Sequence, residues 1–267
     1  MMLTPFLKWA GGKRWLVNSG QLPVPSAYKR YIEPFLGSGA VFFCLNPHSA
    51  ILSDLNKDLI ELYLVMRDKP KNLHAALFTH HKNHNKCYYY EIRSNIPSSS
   101  VDRAARTLYL NRTCWNGLYR VNLSGQFNVP IGTKTSVILP HENFQNFSEA
   151  LKRTEIYCHD FEKTIDQSSE GDFLFVDPPY TVKHNLNGFL KYNENIFSWP
   201  DQIRLSSSVK RAIQRGVSVA VTNADHESVR SLYSGHCKYR KLHRHSILSS
   251  IASKRVPTTE ALFFANL

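Results

Sequence analysis

Four apolar residues, Phe173-Leu174-Phe175-Val176, run straight into Asp177-Pro178-Pro179-Tyr180, and that junction constrains the fold more than any other stretch. The apolar run reads as a strand buried on both faces, the kind found in parallel sheets covered by helices. In an open α/β sheet the ligand crevice lies beyond the carboxyl ends of such strands. Asp177 therefore stands where a ligand is expected. Pro178 and Pro179 have no N–H and a fixed φ, so their carbonyls can be held toward a ligand instead of entering a ladder. A carboxylate, a carbonyl-rich turn and the ring of Tyr180 suit a flat, amine-bearing ring. An exocyclic ring amine is a poor nucleophile because its lone pair is delocalised; acceptors on its N–H groups concentrate electron density on nitrogen and stabilise the charge formed on alkylation. An ordinary strand-to-loop turn with a surface Asp fits the same four residues.

A second constellation lies near the N-terminus. Tyr31-Ile32-Glu33 reads as a short strand, Pro34-Phe35-Leu36-Gly37-Ser38-Gly39 as a glycine loop, and Ala40-Val41-Phe42-Phe43 as a helix start. The two glycines allow close backbone approach to a ligand. Asp54 ends a further apolar run, Ala50-Ile51-Leu52-Ser53, near the place where an acidic residue takes ribose hydroxyls in nucleotide folds. The loop lacks the third glycine of a dinucleotide site and any Gly-Lys-Ser/Thr, which disfavours a nicotinamide cofactor or a bound triphosphate.

Six strings in order, Phe6-Leu7-Lys8-Trp9-Ala10-Gly11-Gly12-Lys13, Glu33 to Gly39, Ser53-Asp54-Leu55-Asn56, Asn111 to Asn122, Phe127-Asn128-Val129-Pro130 and Asp177 to Tyr180, resemble the Dam-type DNA adenine-N6 methyltransferases, the D12 class with its Asp-Pro-Pro-Tyr motif. The resemblance runs from residue 6 to the C-terminus. It implies S-adenosylmethionine as methyl donor, surrounded by Trp9, Ala10, Lys13, Phe35, Gly37, Ser38, Gly39, Asp54 and Asp177, with Asp160-Phe161 holding its adenine. It also implies a target-reading hairpin in which Lys8, Leu118, Arg120 and Pro130 lie near the bases and Trp115 is wedged into the duplex, where many relatives carry Tyr or Phe. The family's best-known target is GATC, and relatives with other sites share much of this hairpin.

Charge agrees with such a partner. Lys and Arg number 33 against 21 Asp and Glu, a net charge of +12, and a strongly basic chain suits a polyanion. From Arg204 to Arg255 eleven Lys or Arg stand against two acids, Asp225 and Glu227, so part of that stretch is expected to face phosphates; a solvated basic face is the alternative. No apolar run approaches the ~18 residues of a membrane span and no signal core precedes Lys8 to Arg14, so a soluble, cytoplasmic protein is expected. Cys44, Cys87, Cys114, Cys158 and Cys237 are odd in number and never spaced Cys-x-x-Cys, and read as reduced, mostly buried thiols. His74, His80, His81 and His84 lack carboxylate or Cys partners at ligand spacing, so no metal is expected.

Between Asp58 and Glu149 the pattern changes. Val101, Ala104, Ala105 and Leu108 recur at helical spacing behind Ser98-Ser99-Ser100, which can cap that helix. Leu118 to Val121 and Phe127 to Val129 flank Asn122-Leu123-Ser124-Gly125-Gln126, a hairpin with Gly125 at its turn. Arg112, Asn116, Arg120 and Asn128 offer groups for base edges, and Trp115 an aromatic to fill a gap in the stack; Trp115 and Leu118 as core residues would be the structural alternative. The expected architecture is a Rossmann-like α/β methyltransferase sheet, residues 1–57 and 150–267, around a mainly helical target-recognition domain, residues 58–149. Strands are expected near 30–33, 50–53, 155–158, 173–176 and 217–222, with an edge hairpin near 239–242 and 260–265. The expected reaction is methylation of adenine N6 in double-stranded DNA after base flipping, which geometry requires. The alternatives are another planar amine (cytosine N4, RNA, a protein amide) or a DNA-binding relative without catalysis. Nothing in these residues bears on a partner restriction endonuclease.

Overall fold

The computed structural model describes residues 3–122, 124–140, 142–183, 197–245 and 257–267. Seven strands form one mixed sheet, and the chain divides into two compact units, residues 1–21 with 36–158 and residues 22–35 with 159–267.

The first unit holds a parallel pair, β2 (Ala50–Asp54) and β3 (Thr154–Cys158), in register Leu52↔Ile156 and Asp54↔Cys158. Helices fill the chain between them. Asn56 caps Lys57–Asp68 by accepting from the Leu59 amide, and the helix buries Leu59, Ile60, Leu62, Tyr63, Val65 and Met66. Ser99 caps Ser100–Thr113 through the Asp102 amide, and Ala104, Ala105 and Leu108 lie buried as their spacing predicts. Phe6, Phe43, Tyr63 and Phe147 pack edge-to-face and stacked at 5.2 to 6.4 Å.

The second unit holds five strands. β1 (Tyr31–Glu33) runs parallel to β4 (Phe173–Val176), and β4 parallel to β5 (Ser218–Ala224), with Val176 opposite Val221. β1 and β4 are buried throughout; β4 is wholly apolar, as a strand covered on both faces is expected to be, whereas β1 carries the buried Glu33. β7 (Pro257–Ala265) then pairs antiparallel with β5, and β6 (Lys238–His245) with β7. The helix Trp199–Gln214 opens on a capping box between Ser198 and Asp201 and gives way to Gly216 at φ +82°, completing a strand, helix, strand alternation.

The stretches 118–121 and 127–129 face each other as a short antiparallel hairpin around Gly125: among the described residues they meet through one bridge, Val121↔Phe127, with the Asn128 amide on the Arg120 carbonyl and the Asn122 amide on the Gln126 carbonyl. The Asn122 side chain accepts from the Ser124 and Gln126 amides, closing the turn locally; Leu123 lies outside the described residues. The cysteines are free, but only Cys114 is buried, and Cys87 and Cys158 are exposed.

Candidate active site and nucleic-acid interface

In the second unit the register carries the chain from Val176 into Asp177 beside Thr222 of β5. The Thr222 hydroxyl donates to Asp177 Oδ1 at 2.6 Å. Gln202, held by the Asn223 amide at 2.9 Å, donates to the Pro179 carbonyl at 3.3 Å. The Pro178 carbonyl accepts no hydrogen bond among the described residues, which leaves both of its lone pairs for a ligand. Tyr180 donates its phenol to Glu260 Oε2 on β7 at 2.8 Å. Burial, then the charges of Asp177 and Glu260, push that phenol well above its ordinary pKa, so it stays a protonated donor. Thr222, Gln202, Asn223 and Glu260 were not singled out in the sequence. Their partners arrive through strand register, which no local spacing reports.

At the end of β1, Tyr31 donates to the buried Glu33 at 3.0 Å. Phe35 stacks on Phe161 with centroids 5.4 Å apart, and Phe197 meets both rings. The Arg204 guanidinium lies 4.3 Å over Phe161 and grips Asp160 through two hydrogen bonds, at 2.7 and 2.9 Å. Asp160 also caps Phe161–Asp166 through the Glu162 amide. Burial pushes the Asp160 carboxyl up, but Arg204 and the Glu162 amide outweigh it and hold the carboxyl below its usual range.

In the first unit Gly37 (φ +48°) and Gly39 (φ +61°) are left-handed, and a Cβ on Gly37 would stand 2.8 Å from Trp9 Cδ1. No other residue fits there. Asp54 fastens this loop: Oδ2 accepts from the Gly37 amide and Oδ1 from the Asn56 amide, both at 3.0 Å. Burial raises its carboxyl pKa while the amides of Asn56, Gly37 and Leu55 restrain the rise. Ser38 is buried, Ala10 exposed, and Lys13 is buried with Nζ on the Gly11 carbonyl at 2.8 Å. Trp9 stacks on Tyr119 at 5.2 Å, and Tyr119 donates to Asp58 at 2.8 Å.

The same unit carries the residues expected at DNA. Lys8, Asn116, Arg120 and Pro130 are exposed, Leu118 and Asn128 half-buried, and Trp115 is 51% exposed, which answers the alternative of a core tryptophan. Arg120 Nε donates to Asn128 Oδ1 at 2.8 Å, pinning one side of an otherwise exposed guanidinium. Burial and the neighbouring Lys134 push the Lys8 ammonium down to about 8. Asn111 is buried and exchanges two hydrogen bonds with the Lys8 backbone, at 2.9 and 2.7 Å, a tethering role its position in the sequence did not announce.

Arg112 is a correction. It is not presented to solvent: its side chain is 4% exposed and Glu142 is 5% exposed, and the two form a bidentate pair. The guanidinium also donates to the carbonyls of Phe6 and Val137, each at 2.7 Å. The basic stretch needs a similar correction. Arg204, Arg211, Arg215, Arg230 and Lys241 lie within 4 Å of acids, namely Asp160, Glu162, Asp166, Asp201 and Asp225, so much of that surplus balances internal carboxylates. Lys254, Arg255 and the Arg244 side chain lie outside the described residues. Among those described, no cluster of three His, Cys, Asp or Glu could hold a metal and no helix is long and apolar enough to cross a membrane.

Comparison with known proteins decides the family. The profile of the D12 class N6 adenine-specific DNA methyltransferases matches residues 9–250. The chain belongs to that family. It is 39% identical over 240 residues to the Type II methyltransferase M1.LlaDCHI of Lactococcus lactis subsp. cremoris, covering 86% of this chain and 84% of that one. It is 34% identical to the Type II methyltransferase M.MjaIII of Methanocaldococcus jannaschii over 84% of this chain and 85% of that one. Against the DNA adenine methylase of Escherichia coli (strain K12) it is 31% identical, with 93% and 89% covered. It is accordingly a DNA adenine-N6 methyltransferase by family, and DNA is its class of substrate.

Proposed function

We propose that this chain transfers a methyl group from S-adenosylmethionine to N6 of an adenine flipped out of duplex DNA, at a site of the GATC type, in the cytoplasm. The observation that carries the reading is the Asp177 to Tyr180 turn, whose carboxylate and phenol are both held by partly buried hydrogen bonds in a chain of this family. The donor, when bound, supplies an electrophilic methyl on a sulfonium. Residues for it fit: a loop with no room for side chains at Gly37 and Gly39, the Asp54 carboxylate for a diol, and aromatic faces at Phe35 and Phe161 beside Asp160. Trp9, Ala10, Lys13 and Ser38 complete that set. Asp177 accepts one N–H of the target amine and the Pro178 carbonyl the other, so electron density gathers on N6 and the positive charge that develops there is stabilised. Tyr180 stacks on the base. An adenine inside a duplex cannot reach this turn, so it leaves the stack. Residues 58–149 act as the target-recognition domain and residues 1–57 with 150–267 as the catalytic domain, with Lys8, Trp115, Asn116, Leu118, Arg120, Asn128 and Pro130 toward the DNA.

The test is Asp177→Ala, assayed with labelled S-adenosylmethionine on duplex DNA. Turnover should fall at least ~100-fold, the scale for a positioned catalytic group, with donor affinity within a few-fold of wild type. A mutant keeping more than a tenth of wild-type turnover would sink the assignment. Sequencing methylated positions in DNA from cells expressing the chain reads the target directly, and methyl groups on cytosine instead of adenine would overturn the substrate.

A further inference from the structure

We propose that Thr222 and Glu260 are positioning residues for the reaction, presented together by β5 and β7 so that one fixes the rotamer of Asp177 and the other the ring of Tyr180. The inference rests on the reading of Asp177 and Tyr180 as the groups that meet the target amine.

Strand register explains why these two residues and not their neighbours. β4 and β5 run parallel with Val176 opposite Val221, so the next pair along is Asp177 and Thr222. β5 and β7 run antiparallel with Thr222 opposite Leu262. Glu260 lies two residues from Leu262, hence on the same face of the sheet as Thr222. One face therefore aims a hydroxyl at Asp177 Oδ1, 2.6 Å away, and a carboxylate at the Tyr180 phenol, 2.8 Å away.

Stability gives a poor account of them. Glu260 is 5% exposed and is followed by the buried Ala261, Leu262 and Phe263; Thr222 is fully buried. A carboxylate buried in a sheet is costly, and a hydrogen bond from one phenol returns only part of that cost. Orientation accounts for them better. A carboxylate that can rotate, or a ring that can tilt, loses the near-attack geometry on which transfer to a weak nucleophile depends. Thr222 removes the first freedom and Glu260 the second.

The full-length protein carrying Thr222→Val, Thr222→Ser, Glu260→Leu or Glu260→Gln tests this in single-turnover methylation of duplex DNA, with KM for S-adenosylmethionine and DNA affinity measured beside the rate. Val keeps the bulk of Thr without its hydroxyl, and Leu removes the acceptor for Tyr180; each should lower the transfer rate about 10-fold or more, with KM and DNA affinity within three-fold of wild type. Ser and Gln, which restore a donor and an acceptor, should recover most of the rate. Glu260→Leu leaves the Tyr180 phenol without its acceptor and should unfold somewhat earlier in urea, so its rate is measured well below its urea midpoint, where a slow transfer that Gln restores reports positioning and not loss of fold. If the Val and Leu variants transfer methyl at the wild-type rate, or lose donor or DNA affinity in proportion to rate, the proposal is wrong. Should Thr222→Val fail to fold, the Glu260 pair decides alone. Asp177→Ala separates the two levels: its inactivity beside fully active Val and Leu variants would remove this inference and leave the proposed function standing.

Discussion

The turn at Asp177 and the hairpin around Arg120 make opposite use of the backbone. Asp177 follows a wholly buried strand, and its neighbours in the turn are held by side chains on β5, β7 and the helix Trp199–Gln214. Among the described residues the hairpin has one bridge, Val121↔Phe127, and an exposed Arg120 whose side chain bonds Asn128, eight residues away. Chemistry at a weak nucleophile needs fixed angles, which a sheet with several supporting side chains supplies. On the proposed reading the hairpin meets a deformable duplex, and such contact needs reach, which exposed side chains supply. Different damage is therefore expected from mutating each.

The largest effect is expected where a buried ion pair fixes the first unit. Arg112 and Glu142 form a buried bidentate pair, and removing one partner of such a pair leaves an uncompensated charge, typically ~3–5 kcal/mol. Arg112→Ala should lower unfolding free energy by about that amount, measured by urea denaturation. If the variant is as stable as wild type yet binds DNA more weakly, Arg112 belongs at the DNA after all.

That residue also marks where sequence reading stops. β4 was legible because it is apolar throughout, and burial on both faces writes itself into composition; β1, β2 and β5 were legible from the apolar runs inside them, Tyr31-Ile32, Ala50-Ile51-Leu52 and Val219-Ala220-Val221. The glycines at 37 and 39 were legible because left-handed backbone leaves few other choices. Arg112 was misjudged because an arginine at a helix end beside Trp115 looks identical whether it meets a phosphate or a carboxylate thirty residues on. Asp160 and Arg204 lie 44 residues apart and Tyr180 and Glu260 80 apart. Such pairs are created by packing and register, and periodicity carries no trace of them.

A middle-sized effect should sharpen the hairpin's side of the contrast. A guanidinium on an exposed hairpin can pair with a guanine edge, worth ~1–3 kcal/mol of discrimination. Arg120→Ala should narrow the preference for the best site over single-base variants by that amount, while replacing exposed Lys238 should weaken all duplexes alike and reduce the salt slope by about one. Methylation rates on a panel of single-base variants decide; a uniform scaling of every rate by Arg120→Ala means the hairpin is not the reader.

The smallest effect is a pH dependence confined to the first unit. His80 hydrogen-bonds Tyr88 at 2.8 Å and stacks on Tyr109 of the helix Ser100–Thr113 at 4.9 Å, the helix that ends at Arg112 and Thr113. Burial pushes its pKa down to about 4, against a weak opposing pull from Asp102; burial also lowers His84, which hydrogen-bonds Tyr109 at 2.8 Å. The folded state thus resists a proton that the unfolded chain accepts near 6.5. Stability is unaffected above that value and falls as pH drops from about 6.5 toward 4, because the unfolded state binds more protons throughout that window. With partial exposure discounted, the loss between pH 7 and pH 5 should be on the order of 1 kcal/mol. His80→Gln should flatten the pH dependence of the urea midpoint between those values, whatever it does to stability at pH 7. Hydrogen exchange at pH 5 should show the helices Pro70–Asn83 and Ser100–Thr113 opening before β4 and β5. If β4 and β5 open first, or the variant keeps the wild-type slope, His80 is not the group that makes the first unit acid-sensitive.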